Sequence, residues 1–268
     1  MLTAERRRRI LEILAADERA EVAGLAARFD VSESTVRRDL GLLARSGAIE
    51  RIHGGALASA LLEPSFAQNR AANRPQKQAI ARAAARLVEP GATIIFDAGT
   101  TTLELARAIR SVRNLTVVTT SLSIALELAE RATVLVIGGT LKERTMALIG
   151  PMAERSIEQM HVDMAFIVAN GVSASAGVTT PTWEEASVKA RMIATATIAV
   201  LVADGSKVGA ATFARVVGLD AIDLFITDDS APASELQKLR AAGLQIEVVS
   251  VDSAAPRLGV APVNEVVA

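Results

Sequence analysis

From about residue 76 to residue 250 the chain repeats one pattern, a short apolar run rich in β-branched residues followed by a stretch with helical spacing. The runs cover residues 93–97, 115–119, 133–137, 164–169, 197–203, 224–227 and 247–250. Helical stretches such as 103–110 and 121–131 lie between most of them. A strand that is apolar on both faces needs a covering layer on each side, and intervening helices supply those layers. The alternation therefore predicts an α/β domain with a mostly parallel, Rossmann-like sheet over residues 76–252.

The first 57 residues follow a different rule. Three short helical patterns, at about 4–15, 22–28 and from Ser32 to about 45, carry apolar stripes at helical spacing. Ser32 is a good N-cap and Gly47 a helix terminator. Residues 48–52 read as a short strand, and His53-Gly54-Gly55 as a turn. Three helices followed by a small hairpin make a winged helix-turn-helix. Residues 58–75, with Pro64 and Pro75 and no clear period, read as a linker, and residues 253–268 as a loosely held tail.

The third helix has two faces. At about 100° per residue, Val36, Leu40 and Leu43 fall together and must face a core. Ser34 and Arg38 point the opposite way, with Thr35 and Arg37 on the flanks. Two guanidiniums near a helix N-terminus suit the major groove, where arginine bridges guanine O6 and N7 and hydroxyls reach bases or phosphates. Arg51 and His53 stand in the wing, within reach of backbone or minor groove. The competing reading is a solvated face on an ordinary three-helix domain. A solvated face accounts for the Arg6–Arg9 run, and Asp39 reads as a salt-bridge or capping partner.

Charge adds little. The whole chain carries a formal −1, and residues 1–55 hold ten arginines against nine acids. DNA binding by this head must rest on where its arginines stand, because bulk charge is close to neutral. With no tyrosine and one tryptophan there is no aromatic platform for single strands, which leaves duplex DNA. The chain has no cysteine and two histidines, which excludes disulfides, thiolate catalysis, cysteine-ligated metals and a His-rich site, so no metal or cofactor is expected. No apolar run reaches the ~20 residues of a membrane span. The opening residues, with Glu12, Asp17 and Glu18, fit neither a signal nor a transit peptide. A cytoplasmic location is expected.

Three strand-like runs each end in a small hydroxylated loop: Asp97-Ala98-Gly99-Thr100-Thr101-Thr102, Thr119-Thr120-Ser121 and Gly138-Gly139-Thr140. The carboxyl ends of parallel strands line one crevice, glycine admits close approach, and free N–H groups at a helix start favour an anion. Glu184, Glu185 and Lys189, then Asp204-Gly205-Ser206-Lys207, supply charge, with Lys207 the choice for a phosphate. Each piece alone also reads as a plain cap, turn or helix ion pair. Their repetition at one end of three strands argues for a ligand crevice.

Ser32-Glu33-Ser34-Thr35-Val36-Arg37-Arg38-Asp39-Leu40, followed by Gly47-Ala48-Ile49-Glu50-Arg51-Ile52-His53-Gly54-Gly55-Ala56, resembles the DeoR family of bacterial regulators. The resemblance continues through Lys77, Asp97–Thr102, Gly138-Gly139 and Asp204–Lys207. It implies a sensor domain similar to the sugar-phosphate isomerase and CoA-transferase fold, answering to phosphorylated sugars or related metabolites. Carried over by position, the implied ligand residues are Asp97, Gly99, Thr100, Thr101, Thr119, Ser121, Gly138, Gly139, Glu185 and Lys207. Thr120, Asn170-Gly171 and Gly205 depart from the usual family residues and bear on which ligand is bound.

The leading expectation is a ligand-controlled repressor of carbohydrate or related metabolic genes. It would bind operator DNA as a homodimer or homotetramer, because one small head reads too few bases. The alternative is an isomerase-like enzyme using Asp97, Glu185, Asp204 and Lys207 as acid–base groups. A nucleotide sensor lacks support, because no Gly-x-Gly-x-x-Gly or Walker-type loop follows the first strand.

Overall fold

The computed structural model describes residues 3–17, 19–45, 49–52, 54–58 and 64–251. The head is built from α1 (Thr3–Asp17), β1 (Arg19–Glu21), α2 (Val22–Phe29), α3 (Glu33–Arg45), β2 (Ile49–Ile52) and β3 (Gly55–Ala58). Ile10 and Leu14 of α1, Val22 and Leu25 of α2, and Val36, Leu40 and Leu43 of α3 close one apolar core. The Ser32 hydroxyl accepts from Thr35 N at 3.2 Å and so caps α3, as its position implied. Strand β3 lies between β1 and β2, antiparallel to both.

The two glycines of the wing have separate reasons. Gly54 adopts φ +81, which a side chain resists, and its carbonyl accepts from Val22 N at 2.8 Å. Gly55 passes so near β1 that a Cβ there would meet the Ala20 carbonyl oxygen at 2.3 Å. The short strand β1, absent from the sequence reading, is what makes that close approach necessary. Gly47 and His53 lie outside the described residues.

The second unit runs α4 (Phe66–Ala71), α5 (Arg74–Ala85), β4 (Thr93–Phe96), α6 (Thr100–Ala108), β5 (Thr116–Thr119), α7 (Leu122–Leu128) and β6 (Thr133–Val136). Next come β7 (Thr140–Lys142), β8 (Ala147–Ile149), α8 (Pro151–Ile157), β9 (Val162–Ile167), β10 (Gly171–Ser173), β11 (Gly177–Thr180) and α9 (Trp183–Ala194). It closes with β12 (Ala196–Val202), β13 (Ala214–Val217), β14 (Leu224–Asp228), α10 (Ala233–Ala241) and β15 (Ile246–Val249).

All seven apolar runs became strands of one sheet, in the order β15-β14-β12-β9-β4-β5-β6, with every neighbouring pair parallel. Side chains alternate across it. Ile94 and Phe96 face Ile80, Leu105 and Ile124 of α5, α6 and α7. Ile95 faces the opposite layer, with Ile157 of α8, Met192 of α9 and Leu239 of α10. Phe96 and Phe166 stack across β4 and β9 at 5.5 Å between ring centroids. Full burial of side chains of this size contributes about 1.5–3 kcal/mol each. This two-sided covering accounts for the apolar inner strands, whereas the edge strand β6 leaves Leu135 and Val136 exposed.

The segment 58–75, read as a linker, is partly regular structure. Residues 66–71 form α4, with a capping box in which Ser65 and Gln68 satisfy each other's backbone N–H groups. Pro75 sits in the first turn of α5, where its missing N–H costs nothing. The prolines that suggested a break therefore mark a helix start.

Candidate functional site

Two sites emerge, one on the head and one on the sheet. On the head, α3 buries Val36 and Leu40 completely and leaves Ser34, Arg37 and Arg38 exposed, with Thr35 half-buried. Arg37 pairs with Glu33 one turn earlier at 2.6 Å. The Ser34 and Thr35 hydroxyls both join Ser32 Oγ, at 2.8 and 2.9 Å. The Arg38 guanidinium has no hydrogen-bond or ion-pair partner among the described residues. Arg51 is exposed on β2. His53, expected beside it, lies outside the described residues.

Asp39 anchors this face from behind. It is 1% exposed and accepts from Arg6 Nε at 2.7 Å and Arg7 Nε at 2.9 Å, which ties α3 to α1. The Arg6–Arg9 run is thus not simply a solvated face. Arg8 and Arg9 do pair on the surface with Glu12 and Glu5, but Arg6 is buried and structural.

On the sheet, the chain order reverses between β4 and β9. Strands β5 and β6 extend to one side of β4, whereas β9, β12, β14 and β15 extend to the other. At such a switch point the loops after adjacent strands diverge and leave a crevice at their carboxyl ends. An open cleft of about 610 Å³ lies there, lined after β4 by Gly99, Thr100 and Thr101, after β9 by Asn170, and after β12 by Asp204 and Lys207. Phe66 and Asn69 of α4, Lys77 of α5, Arg144 and Thr145 between β7 and β8, and Glu185 and Lys189 of α9 complete it.

Of the ten ligand residues expected from the sequence, Gly99, Thr100, Thr101, Glu185 and Lys207 line this cleft. Asp97 lies beneath it, in a smaller hollow with Thr120, Glu185 and Lys189. Gly99 packs so closely that a Cβ would meet a Val168 methyl at 2.7 Å. The other four stand outside the lining. Thr119 donates to the Phe96 carbonyl at 2.9 Å, and Ser121 Oγ caps α7 through Ile124 N at 3.3 Å. Gly138 stands against Met152 of α8, and Gly139 passes the Ile149 carbonyl, where a Cβ would come within 2.6 Å. The β7–β8 hairpin covers this end of the sheet, with Leu148 N donating to the Thr120 carbonyl at 2.9 Å.

Charges in the cleft are layered. Deepest, Asp97 accepts from Lys189 Nζ and from Val168 N at 3.0 Å, and Lys189 also donates to the Val168 carbonyl at 3.1 Å. Burial pushes the Asp97 carboxyl above its ordinary range, against the pull of Lys189. Next, Glu185 pairs with Lys142 of the hairpin at 2.8 Å and accepts from the Thr182 hydroxyl at 3.1 Å. Burial would raise the Glu185 carboxyl, but Lys189 and Lys142 outweigh it and hold it below the usual value.

The outer cations are different. Lys77 is 5% exposed, and its ammonium donates to two neutral carbonyls, those of Asn69 and of Ala72, the latter at 2.6 Å. Burial lowers the Lys77 pKa; Asp204 raises it again, and the neighbouring Lys207 lowers it further. The Lys207 ammonium has no hydrogen-bond or ion-pair partner among the described residues. Helix α6 begins here at Gly99 without a side-chain cap, so its first N–H groups belong to the same polar surface. The buried Thr145 hydroxyl also lacks a partner among the described residues.

Phe66, Asn69, Lys77, Arg144 and Thr145 were not named as ligand residues from the sequence. Lys77 carried a signal as part of the family resemblance. Asn69 and Phe66 carried none, because they fell in the presumed linker. Among the described residues no cluster of His, Cys, Asp or Glu could hold a metal ion, and no helix is long and apolar enough to cross a membrane.

The model for the DeoR-like helix-turn-helix domain matches residues 6–60, and that for the DeoR C terminal sensor domain matches residues 72–229. The HTH-type transcriptional regulator GlpR of Haloferax volcanii is 40% identical over 249 residues, covering 92% of this chain and 98% of that protein. The putative aga operon transcriptional repressor of Escherichia coli is 34% identical over 253 residues, covering 92% and 94%. Among solved structures, the probable sor operon regulator from Shigella flexneri aligns with a TM-score of 0.40 at 13% identity, over 66% of this chain and 92% of that one. Ribose 5-phosphate isomerase A from Methanocaldococcus jannaschii aligns with a TM-score of 0.38 at 17% identity, over 51% and 55%.

Proposed function

This chain belongs to the DeoR family of DNA-binding transcriptional regulators, and from that premise we propose that it is a cytoplasmic repressor released or reinforced by a phosphorylated sugar. The enzyme alternative is not favoured, since the relatives named above are regulators. The observation that carries the ligand reading is the meeting of two like charges. Lys77 is desolvated by burial and its charge is further disfavoured by the neighbouring Lys207, and neither lysine has a carboxylate at ion-pair distance among the described residues. An anion with several acceptor oxygens relieves both, and the uncapped start of α6 adds donors to it.

The remaining groups suit the sugar part. Thr100, Thr101, Thr145 and Asn170 offer neutral donors and acceptors, while Glu185 and Asp204 accept from hydroxyls. Phe66 and Val168 supply an apolar wall. On the head, Arg38 reads a base edge, Arg37 exchanges Glu33 for the DNA, and Ser34, Thr35, Arg51 and His53 contact phosphates or bases. Two heads in a homodimer or homotetramer read paired half-sites.

The test is a melting series of the purified full chain against phosphorylated sugars and polyols. A ligand that binds only the folded chain raises its stability by ~2.7 kcal/mol at a hundredfold excess over Kd. Stabilisation by one phosphorylated compound and none by its dephosphorylated form supports the reading. A flat response across the series removes it.

A further inference from the structure

Helix α4 is the first element of the sensing unit, and seven residues separate it from the last described strand of the head. It is held in an unusual way. None of its residues is buried, and at six residues it is far too short to persist alone. Phe66 rests against the sheet layer, and polar bonds from the cleft add to its holding. Lys77 donates to the carbonyls of Asn69 and Ala72, and the Thr100 hydroxyl reaches the Asn69 carbonyl at 3.5 Å. Asn73, in the turn that follows, donates to Asp204 at 2.9 Å and to Ser206 at 3.4 Å.

Lys77, Thr100 and Asp204, which fasten α4, therefore also line the cleft. We propose that α4 is a movable wall of the cleft: an anion bound between Lys77 and Lys207 takes the Lys77 ammonium from the Asn69 and Ala72 carbonyls, and the loosened α4 changes the tether of the DNA-reading head. The inference rests on the anion reading above. Its direction follows from charge, because an anionic oxygen adds the attraction of opposite unit charges, which a neutral carbonyl does not supply to the same ammonium. Burial of Lys77 and the neighbouring Lys207 charge sharpen the difference, since both disfavour the ammonium. Release of α4 is cheap because so little apolar surface holds it.

The chain has no cysteine, so two can be added for spin labels without background. Arg70→Cys on α4 and Glu130→Cys beyond α7 are both exposed positions, and pulsed electron resonance reads the distance between the labels in the full chain. We expect one narrow distribution without ligand, and a broadened, shifted one in Lys77→Gln under the same conditions. Inorganic phosphate or glycerol phosphate should move the parent chain toward the Lys77→Gln distribution and leave that variant unmoved. Melting curves recorded alongside report whether the anion binds.

An unshifted, narrow Lys77→Gln distribution overturns the proposal. So does an anion that raises the melting temperature without moving the labels, which leaves the ligand reading intact. Should neither anion bind, the ligand reading fails for these probes, and a loosened α4 in Lys77→Gln still supports the fastening. If Lys77→Gln does not fold, Asn73→Ala cuts the bonds to Asp204 and Ser206 and must loosen α4 in the same sense.

Discussion

Arg6 donates to Asp39 at 2.7 Å across the interior of the head, joining the first helix to the helix that presents Arg37 and Arg38. The pair explains how a face carrying two exposed guanidiniums keeps its angle. Asp39 sits directly behind Arg38 in sequence, and its carboxylate takes two guanidiniums from α1.

Asp39→Ala should unfold the head without unfolding the sensor. Removing one partner of a buried ion pair leaves the other charge uncompensated, at a cost of about 3–5 kcal/mol. The only tryptophan of the chain, Trp183, lies on α9 of the sensor. Far-ultraviolet circular dichroism should show a new low-temperature step, while the tryptophan fluorescence transition stays in place. A single unchanged transition by both probes would contradict the structural role of this pair.

Arg38→Ala should leave both transitions untouched and weaken operator binding. The side chain is exposed and makes no contact that folding needs. A bidentate base contact is worth about 1–3 kcal/mol, so affinity should fall roughly 5- to 150-fold, with discrimination relaxed at one base position. Loss that is uniform across all operator variants would instead assign Arg38 to the phosphate backbone.

The pattern of the seven apolar runs carried the sheet, and the third-helix wheel carried the buried and exposed faces of α3. Strand order was not legible, and the candidate site depended on it. Reading in sequence order grouped the loops after β4, β5 and β6, whereas β9 packs beside β4 on the other side and brings Asn170, Asp204 and Lys207 together with Thr100. The hairpin over Thr120 has strands of three residues each, too short to leave an alternation signal. The partnership of Arg6 with Asp39 spans 33 positions, and nothing in either segment alone announces it.

Lys207→Ala should separate sensing from DNA binding. Its side chain has no hydrogen-bond or ion-pair partner among the described residues, so its loss costs the fold little. A hydrogen bond to a charged group contributes about 1.5–3 kcal/mol, which makes the stabilising sugar phosphate bind roughly 10- to 150-fold more weakly. Ligand-free operator affinity should be unchanged. Equal loss of both would place Lys207 in the scaffold instead of the site.

Acid should act on the sensor through Glu185. Its folded carboxyl lies below the ordinary value of 4.5, so the folded state binds fewer protons than the unfolded one in that window. The stability it contributes is fully present above about pH 4.5 and is lost as pH falls through the folded value. Asp97 is shifted upward and works in the opposite sense, so the comparison must be made against Glu185→Gln. Denaturant midpoints of the two chains between neutral pH and mild acid should converge as pH drops. A gap that widens in acid would contradict the ion pair with Lys142.

The most direct test is operator binding by the full chain, followed by fluorescence anisotropy on duplex DNA from the region upstream of its own gene, at near-physiological salt. Binding should be tight and specific, should fall with Arg38→Ala, and should change several-fold when the stabilising sugar phosphate is added to the parent chain but not to Lys207→Ala. Specific binding that no phosphorylated sugar alters, or the absence of any specific binding, would contradict the account.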